Sequence, residues 1–545
     1  MSKLSRRNFI KYSTLGIGSV VLTACGFKEL PTPTPPAFTA VIPTMTPVPT
    51  AAPTAAARGQ YANNQNGASQ GSKGQGGMGQ SGKDPNANEQ GTSSENEGNV
   101  ALSSDSNFIG REILGRPTDR AVTVNVIPAS DSELYFEYGT APGKYILQTV
   151  VTSVAAAVPV NVLINNLQPG TPYYYRTRIR QANSGGYSAG NEHTFVTQRT
   201  PGSSFIFTID ADPHNHDPNF NSELYGITLA NALKDHPDFH INLGDTFMTE
   251  KLNITSLEGT VGTYADIRPH FGLIGADAPL ILVNGNHEGE LGWFLNGGDQ
   301  NLAVWCTQTR QKYYPNPVPG AFYSGSTTPE PLTGIRDSYF AWTWGDAQLI
   351  VLDPFWYTRS KPKQQPDSNW GWTLGKTQYD WLKQALETSS AKFKFVFIHN
   401  LVGGRDKDAR GGIESAGYYE WGGKNQDGSW GFGQQRPGWG LPIHPLMVKN
   451  RVSAIFHGHD HVFVKQDLDG IVYQECPQPS ISRYDNIALA QDYGYINGKV
   501  IGSSGHLRVT VTAEKATVEY IRAYLPKDET SSQRNGQVAY AYTIA

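Results

Sequence analysis

The sequence is poor in cysteine, with three in 545 residues. Cys25, Cys306 and Cys476 are too few for a disulfide scaffold and lack the paired spacing of a zinc knuckle. A metal site in this chain must therefore use nitrogen and oxygen ligands.

The sequence also lacks a basic excess, since its net charge is −4 and 17% of its residues are charged. A protein that binds a phosphate backbone needs such an excess, so we expect no stable nucleic-acid partner, although a nucleic acid could still be a substrate. The length exceeds one ordinary core and predicts two to four domains.

The apolar run near the N-terminus, from about Thr14 to Ala24, is too short to cross a bilayer, which takes ~20 residues. It follows the segment Ser5-Arg6-Arg7-Asn8-Phe9-Ile10-Lys11. This segment and the apolar run together resemble a twin-arginine export signal, whose transporter moves folded proteins. A chance Arg-Arg before an apolar stretch is the alternative. Folding before export disfavours a Cys306–Cys476 disulfide.

Leu22-Thr23-Ala24-Cys25-Gly26 resembles a lipobox, which implies a signal peptide over residues 1–25 and a membrane contact through lipid on Cys25. The expected location is the outer face of the cell membrane. Simple cleavage near Ala24 is the alternative and would leave the protein secreted or periplasmic.

Residues 26–104 are dominated first by Pro and Thr and then by Gly, Gln and Asn. They contain too few apolar residues to offset the entropy of ordering them, so we expect a disordered linker. It would serve as a spacer from the membrane, or it is a degenerate tail.

Residues 105–200 contain short alternating runs separated by turns, which predict a small antiparallel β-sandwich. The runs are Ala121–Val126, Glu133–Tyr138, Val160–Ile164 and Tyr173–Ile179. The segment Leu167–Tyr175 resembles the tyrosine corner of fibronectin type III domains, which implies that the Tyr173 hydroxyl bonds backbone across the corner.

Residues 201–545 carry apolar β-runs that alternate with helical segments, typical of an α/β domain whose sheets are buried on both faces by helices. The runs are Phe205–Ile209, Phe239–Leu243, Leu280–Val283, Ala347–Leu352, Phe393–Ile398 and Ser453–Phe456, and the clearest helices are Asn221–Asp235 and Lys376–Glu387. Ligands bind at the carboxyl ends of such strands.

Five of the six runs are followed by residues that ligate metals. These are Asp212-Pro213-His214, Gly244-Asp245, Gly285-Asn286-His287-Glu288, His399-Asn400 and Gly458-His459-Asp460-His461. A lone buried histidine is usually a core residue and a lone Gly-Asp a turn, but their joint occurrence after strands of one domain indicates a metal site.

This set resembles the calcineurin-like metallophosphoesterase signature, D-x-H, G-D, G-N-H-[DE], H and G-H-x-H, over roughly residues 203–524. The preceding sandwich is similar to the N-terminal domain of purple acid phosphatases. The resemblance implies an α/β metallophosphoesterase fold, a layered β-sandwich flanked by helices, preceded by a small all-β fibronectin type III-like sandwich.

The resemblance also implies a site for two divalent metal ions, Mn, Fe or Zn. One ion would be held by Asp212, His214 and His461, the other by Asn286, His399 and His459, and Asp245 would bridge both through its two oxygens. The ions would share a hydroxide that attacks phosphorus. His287 would be the general acid or a cationic stabiliser, or else a residue that orients Asn286.

Some assignments stay open at this stage. Asp210-Ala211-Asp212 also fits a D-x-D variant, so Asp210 is the fallback first ligand. Asp460 is either a partner of the ligands or a solvated turn residue. The Gly- and Trp-rich stretch between His399 and His459 is either a pocket over the metals, with Arg405 or Arg410 on a phosphate oxygen, or a surface excursion.

Purple acid phosphatases place a tyrosine shortly after the Gly-Asp aspartate, where this chain has Thr246-Phe247-Met248-Thr249, so a purple iron site is not expected. The favoured function is hydrolysis of a phosphate mono- or diester outside the cytoplasm, with a phospholipid head group or nucleotide among the possible substrates. A lipid-anchored surface binding protein that retains the fold is the alternative, and it predicts eroded ligands.

Overall fold

A computed structural model describes residues 106–182, 184–363 and 365–545. The predicted signal peptide, the predicted lipid site Cys25 and the whole of the predicted linker lie outside these residues. No helix in the described ranges is long and apolar enough to cross a membrane.

The first described region is an all-β sandwich of two antiparallel sheets, ordered β1-β2-β6 and β4-β3-β7-β8, with β5 beside β3 and β9 beside β7. The strands are β1 (Ile113–Gly115), β2 (Val122–Val126), β3 (Ser132–Gly139), β4 (Leu147–Gln148), β5 (Thr152–Val154), β6 (Val160–Ile164), β7 (Pro172–Gln181), β8 (Ser188–Ala189) and β9 (His193–Val196). Tyr173 is buried, and its hydroxyl accepts a hydrogen bond of 2.9 Å from the Gln168 N–H, as the corner motif predicts.

The rest of the chain contains two mixed sheets. One has the order β12-β11-β10-β20-β21-β22 and the other β13-β14-β15-β16-β18-β17-β19. The strands are β10 (Phe205–Asp210), β11 (Phe239–Asn242), β12 (Leu280–Leu282), β13 (Phe340–Trp344), β14 (Ala347–Val351), β15 (Phe393–Phe397), β16 (Ala454–His457), β17 (Phe463–Leu468), β18 (Ile471–Glu475), β19 (Lys499–Ile501), β20 (Gly505–Val511), β21 (Ala516–Arg522) and β22 (Val538–Ile544).

Strands β10, β11 and β12 are parallel to one another, as are β14, β15, β16 and β18. Between the two sheets lies a core of aromatic rings in which Phe207 contacts Phe239, Phe395 and Phe456. The parallel strands of both sheets deliver their carboxyl ends to one edge of the domain, where the predicted ligands lie.

Helices cover the outer faces of both sheets. They are α1 (Ser222–Lys234), α2 (Leu257–Asp266), α3 (Arg268–Gly275), α4 (Leu302–Tyr313), α5 (Gly375–Thr388), α6 (Tyr419–Gly422), α7 (Phe432–Gln435), α8 (Ile443–Lys449) and α9 (Ala488–Asp492). The side chain of Asn221 caps α1 by accepting from the Leu224 N–H, and Asn301 caps α4 in the same way. Helix α5 buries Tyr379, Leu382 and Leu386, which are spaced to lie on one face.

The predicted strands and helices are confirmed to within two residues at each end, but one expectation is wrong. The apolar strands are buried on both faces, yet only one face of each sheet meets helices, because the other face packs on the second sheet. Near-continuous apolar strands predict double burial without indicating which element covers each face.

The sandwich packs directly on the α/β domain. Tyr175 of β7 donates to the Ala276 carbonyl at 2.7 Å, and buried Arg268 of α3 donates to the Asn125 side chain of β2 at 2.9 Å. The sandwich and the α/β domain therefore form one compact unit.

Candidate metal centre

The site is built on short loops that follow the strand ends, and five of the seven predicted ligands adopt the left-handed region of φ. These are Asp212 (60°), His214 (55°), Asp245 (55°), His459 (82°) and His461 (61°). Such conformations cost ~1–3 kcal/mol each in non-glycine residues and cluster at functional sites. Tight left-handed turns bring side chains from different strands to one point.

The first group of ligands surrounds one oxygen of Asp212. His214 Nε2 lies 3.7 Å and His461 Nε2 lies 3.6 Å from Asp212 Oδ1. The other oxygen, Oδ2, accepts from the His459 N–H at 2.9 Å. One face of the carboxylate is thus fixed by backbone while Oδ1 faces the two imidazoles.

The second group surrounds Asp245. His399 Nε2 lies 3.2 Å from Asp245 Oδ2, and the ligand atoms of Asp245, His399 and His459 all lie within 4.8 Å of one another. His214 Nε2 from the first group lies 3.6 Å from the same Oδ2. Asp245 therefore joins the two groups, as predicted.

The two oxygens of Asp245 have different surroundings. Oδ1 accepts a hydrogen bond of 2.7 Å from the His287 N–H, and Oδ2 faces His214 and His399. The backbone N–H thus orients the carboxylate so that Oδ2 lies between the two groups.

The chemistry of the atoms fits cations. Four buried atoms of the predicted ligands have no hydrogen-bond partner among the described residues: Asp212 Oδ1, His214 Nε2, Asn286 Oδ1 and His399 Nε2. Buried polar atoms are rarely left without a partner, since each costs ~1–3 kcal/mol. Two carboxylates, imidazoles and an amide oxygen make a donor set suited to first-row divalent metals.

Burial and the neighbouring charges act differently on the histidines of the cluster. Burial opposes protonation of His214, but Asp212 and Asp245 outweigh it and raise the pKa of His214 to about 10. Burial and then His214 lower the pKa of His461 to about 3. Burial, reinforced by Arg410, holds the pKa of His459 well below its ordinary value, which leaves it as a neutral ligand.

Outer contacts fix the orientation of the ligands. His399 Nδ1 bonds the Leu243 carbonyl at 2.8 Å, and His459 Nε2 bonds the Asp408 carbonyl at 2.7 Å. These contacts leave His399 Nε2 and His459 Nδ1 to face the cluster. Glu288 accepts from the backbone N–H groups of Asp245 (2.9 Å) and Thr246 (2.6 Å), which holds the Gly-Asp turn in place.

A glycine before His459 is required by close approach. A Cβ at Gly458 would lie 2.5 Å from Asp212 Oδ2 and 2.8 Å from the Ala211 side chain. The G-H-x-H motif therefore needs glycine for its backbone to reach the first aspartate.

His287 lies beside both groups with its two ring nitrogens in different surroundings. Nδ1 bonds the Glu250 carboxylate, and Nε2 lies 3.6 Å from Asp245 Oδ2. The sequence carries no sign of Glu250, because it lies in a single turn of 3₁₀ helix, Thr249–Lys251, and belongs to no motif. The contact between the Glu250 carboxylate and Nδ1 fixes the orientation of the ring, with Nε2 on the side of the cleft.

The alternatives left open by the sequence now have definite positions. Asp210 ends β10 and accepts from Asn242 (2.8 Å) and lies 3.2 Å from His240 Nε2, outside the cluster, so Asp212 is the aspartate that faces the other ligands. Asp460 is buried and accepts from the Gly411 N–H and the Tyr495 hydroxyl, each at 2.8 Å. It is a partner of the ligand loop and not a solvated turn residue.

A cleft of about 480 Å³ opens beside the cluster. Asn286, His287 and His459 line it together with an apolar wall and several charged side chains: Leu291, Trp293, Phe294, Trp372, Glu250, Lys251, Lys361, Lys407, Asp408 and Arg410. Of the two arginines considered from the sequence, Arg410 lines this cleft, and Arg405 lines a neighbouring pocket.

The tryptophans of residues 421–439 do not form the pocket over the metals that their position suggested. Trp421 is buried and donates to the Tyr473 hydroxyl, Trp439 packs on Tyr379, and Trp430 is 62% exposed. The aromatic wall comes instead from Trp293, Phe294 and Trp372, whose spacing carried no signal.

Comparisons with known proteins agree with this arrangement. Residues 207–463 match the family model described as calcineurin-like phosphoesterase. Among solved structures, this chain is similar to that of PhoD, with a TM-score of 0.58 at 14% identity, over 81% of this chain and 91% of that chain.

It is also similar to the purple acid phosphatase PPD1 from yellow lupin (Lupinus luteus) seeds, with a TM-score of 0.53 at 16% identity, over 80% of this chain and 74% of that chain. No curated protein matches the sequence. These likenesses show that the α/β domain has the metallophosphoesterase fold, preceded by an all-β region, as the sequence predicted.

Proposed function

We propose that this protein is an exported, metal-dependent phosphoesterase that hydrolyses phosphate mono- or diesters with two divalent ions. The observation that carries the proposal is the convergence of two ligand groups on the single atom Asp245 Oδ2, with orphaned buried atoms around it. Phosphoesterase chemistry is also what the matched family model implies for residues 207–463.

Asp212, His214 and His461 would hold one ion, Asn286, His399 and His459 the other, and Asp245 both. Two of the three clusters of candidate ligands among the described residues support this division, Asp212 with His214 and His461, and Asp245 with His399 and His459. When bound, two such ions would supply a hydroxide nucleophile near neutral pH and neutralise charge on the phosphoryl oxygens.

In its protonated form, with Nδ1–H bonded to Glu250, His287 would donate a proton to the leaving oxygen from Nε2. Its Nδ1 is held by Glu250, so the ring cannot rotate away without losing that bond. General acid catalysis needs such a fixed donor at the mouth of the site, and His287 lines the cleft. Glu250 is a positioning residue in this scheme.

The test is hydrolysis by the purified protein of 4-nitrophenyl phosphate and bis(4-nitrophenyl) phosphate in the presence of Mn or Zn. We expect turnover of at least one ester, loss of turnover in EDTA, and recovery when metal is returned. The ratio of the two rates assigns monoester or diester preference. No turnover of either ester across several divalent metals would rule out the enzymatic function.

The export part of the proposal rests on the N-terminal sequence. We expect the protein in the membrane fraction, facing outward. Replacing Arg6 and Arg7 by Lys should hold it in the cytoplasm, and Cys25→Ser should release it from the membrane. Accumulation of both variants in the same fraction as the wild type would contradict the signal assignment.

A further inference from the structure

The cleft beside the metal centre carries more positive than negative side chains. Four cationic residues and two carboxylates line it. One carboxylate, Glu250, bonds His287 and also lies 3.3 Å from Lys251 Nζ. The other carboxylate, Asp408, is therefore the one that can pair with the remaining lysines, Lys361 and Lys407.

Asp408 lies between two lysines. Lys407 Nζ is 2.5 Å from its Oδ2 and Lys361 Nζ is 3.7 Å from its Oδ1. One carboxylate cannot neutralise two ammonium groups, so this group of three residues keeps one positive charge. The side chains of Lys361 and Lys407 are 53% and 46% exposed, which leaves both ammonium groups open to a ligand.

The aromatic side chains of the cleft lie next to these lysines. Trp293 packs edge-on against Trp372 with their ring centroids 5.8 Å apart, and both line the cleft. Lys361 Nζ lies 6.0 Å from the centroid of the Trp293 ring. A planar apolar group lying against the aromatic wall would thus have the Lys361 ammonium group beside it.

The loop that carries Lys407 is tied to the candidate metal centre. The Asp408 carbonyl accepts from the ring of His459, and Asp406 Oδ1 accepts from the N–H groups of Asp408 (3.0 Å) and Arg410 (3.1 Å). These bonds hold the backbone beside Lys407 next to a predicted ligand.

We propose that this cleft selects phosphate esters whose leaving group is an aromatic or similarly apolar unit bearing a second anionic group, which Lys361 and Lys407 bind. The inference rests on the proposed function, and it defines the substrate class of the same site. An ester without the second anion would use the metal end and the aromatic wall but leave the lysine charge unmatched.

The test compares binding of two phosphonates to the metal-loaded protein by calorimetry, 4-carboxybenzylphosphonate and its uncharged isostere 4-carbamoylbenzylphosphonate. We expect the carboxylate to bind roughly three- to tenfold more tightly, as for a half-exposed ion pair, with a preference that declines in high salt. The double variant Lys361→Gln/Lys407→Gln should bring the affinity ratio close to one.

The matched control is Lys376→Gln/Lys449→Gln, which removes two exposed lysines that pair with Asp380 and Glu387 on the helices. It should keep the wild-type ratio. Equal affinities in the wild type, or a preference that survives in the cleft variant, would overturn the inference. Binding needs no turnover, so this result is separate from the hydrolysis assay, whose failure would count against the proposed function itself.

Discussion

Asp245 divides its two oxygens between two tasks. Oδ1 accepts from the His287 N–H, and Oδ2 faces His214 and His399. The first bond sets the carboxylate plane, and the second oxygen is left where both ligand groups meet. Because the fixing bond comes from backbone, it survives any change of the His287 side chain.

This separation yields a prediction for His287. His287→Ala should lower turnover by ~10²–10⁴-fold while metal content stays at the wild-type level, because the side chain donates a proton and the backbone N–H still holds Asp245. Metal analysis and steady-state kinetics of the same preparation measure both effects.

Glu250→Gln is the companion variant, since it keeps the shape of the residue that holds Nδ1. It should shift the pH profile of kcat more than it changes KM. His287 Nε2 lies as far from Asp245 Oδ2 as His214 Nε2 does, 3.6 Å. Loss of metal in His287→Ala would therefore make His287 a ligand and contradict the acid assignment.

At this scale the residues of the motifs were predictable, and the residues that contact them or line the cleft were not. Asp245, His399 and His459 each follow an apolar run, so their type and place indicated a metal site directly. Glu250 lies in a single 3₁₀ turn and Lys361 in a loop, and such segments leave no periodic pattern from which a side-chain direction could be predicted. The choice between Asp210 and Asp212 needed coordinates. Asp210 is the last residue of β10, whereas Asp212 lies beyond the strand in a left-handed conformation and faces the site.

At the scale of elements, the segment after β12 joins the metal centre to a buried ionic network. Glu290, three residues beyond His287, bonds Arg310 of α4 and Arg336, and Arg310 also bonds Asp337 at 2.8 Å. All four side chains are buried. The network anchors the loop that continues to Trp293 in the cleft.

Glu290 should make stability depend on acid. Burial opposes its charge, but Arg310 and Arg336 outweigh burial and lower the pKa of Glu290 from its ordinary 4.5 to about 2. A carboxyl with a depressed pKa in the folded state stabilises the fold above its unfolded pKa, and that contribution is lost as the pH falls from about 4.5 toward 2.

Glu290→Gln should lower the free energy of unfolding at pH 7 by ~3–5 kcal/mol, because it breaks the buried ion pairs that Glu290 makes with both Arg310 and Arg336. Urea unfolding at several pH values measures this, and the difference between variant and wild type should shrink in acid. Glu387→Gln, which alters an exposed pair on α5, is the control and should change stability by less than ~1 kcal/mol. A pH-independent difference would contradict the account.

Elements were the most predictable part of the fold. Asn221–Asp235 was predicted as a helix and is α1 with those two residues as its caps, and Val160–Ile164 was predicted as a strand and is β6. Local periodicity and capping determine such elements. The packing of one sheet on the other was expected only from the family resemblance and could not be predicted from periodicity, since it depends on contacts such as Phe207 with Phe395 between distant segments.

At the scale of the whole molecule, the order of regions follows the sequence expectation, with an all-β sandwich before an α/β domain. The sandwich packs on the outer helix α3 through Arg268, and its strand β1 contacts β12 at the edge of the first α/β sheet. We expect it to stabilise the domain, since it lines none of the cleft beside the metal centre.

The cysteines agree with a fold that does not depend on oxidation. Cys306 and Cys476 are buried free thiols in different hydrophobic clusters. Burial raises the pKa of the Cys306 thiol to about 12, which keeps it in its unreactive form.

The central claim is that one chain holds two divalent ions around Asp245, and metal stoichiometry after equilibrium dialysis against Mn or Zn tests it most directly. We predict two ions per chain in the wild type, loss of bound metal in Asp245→Ala and Asp212→Asn, and two ions in the control Asp210→Asn, whose side chain lies outside the cluster. One ion per chain in the wild type, or full occupancy in Asp245→Ala, would contradict the claim.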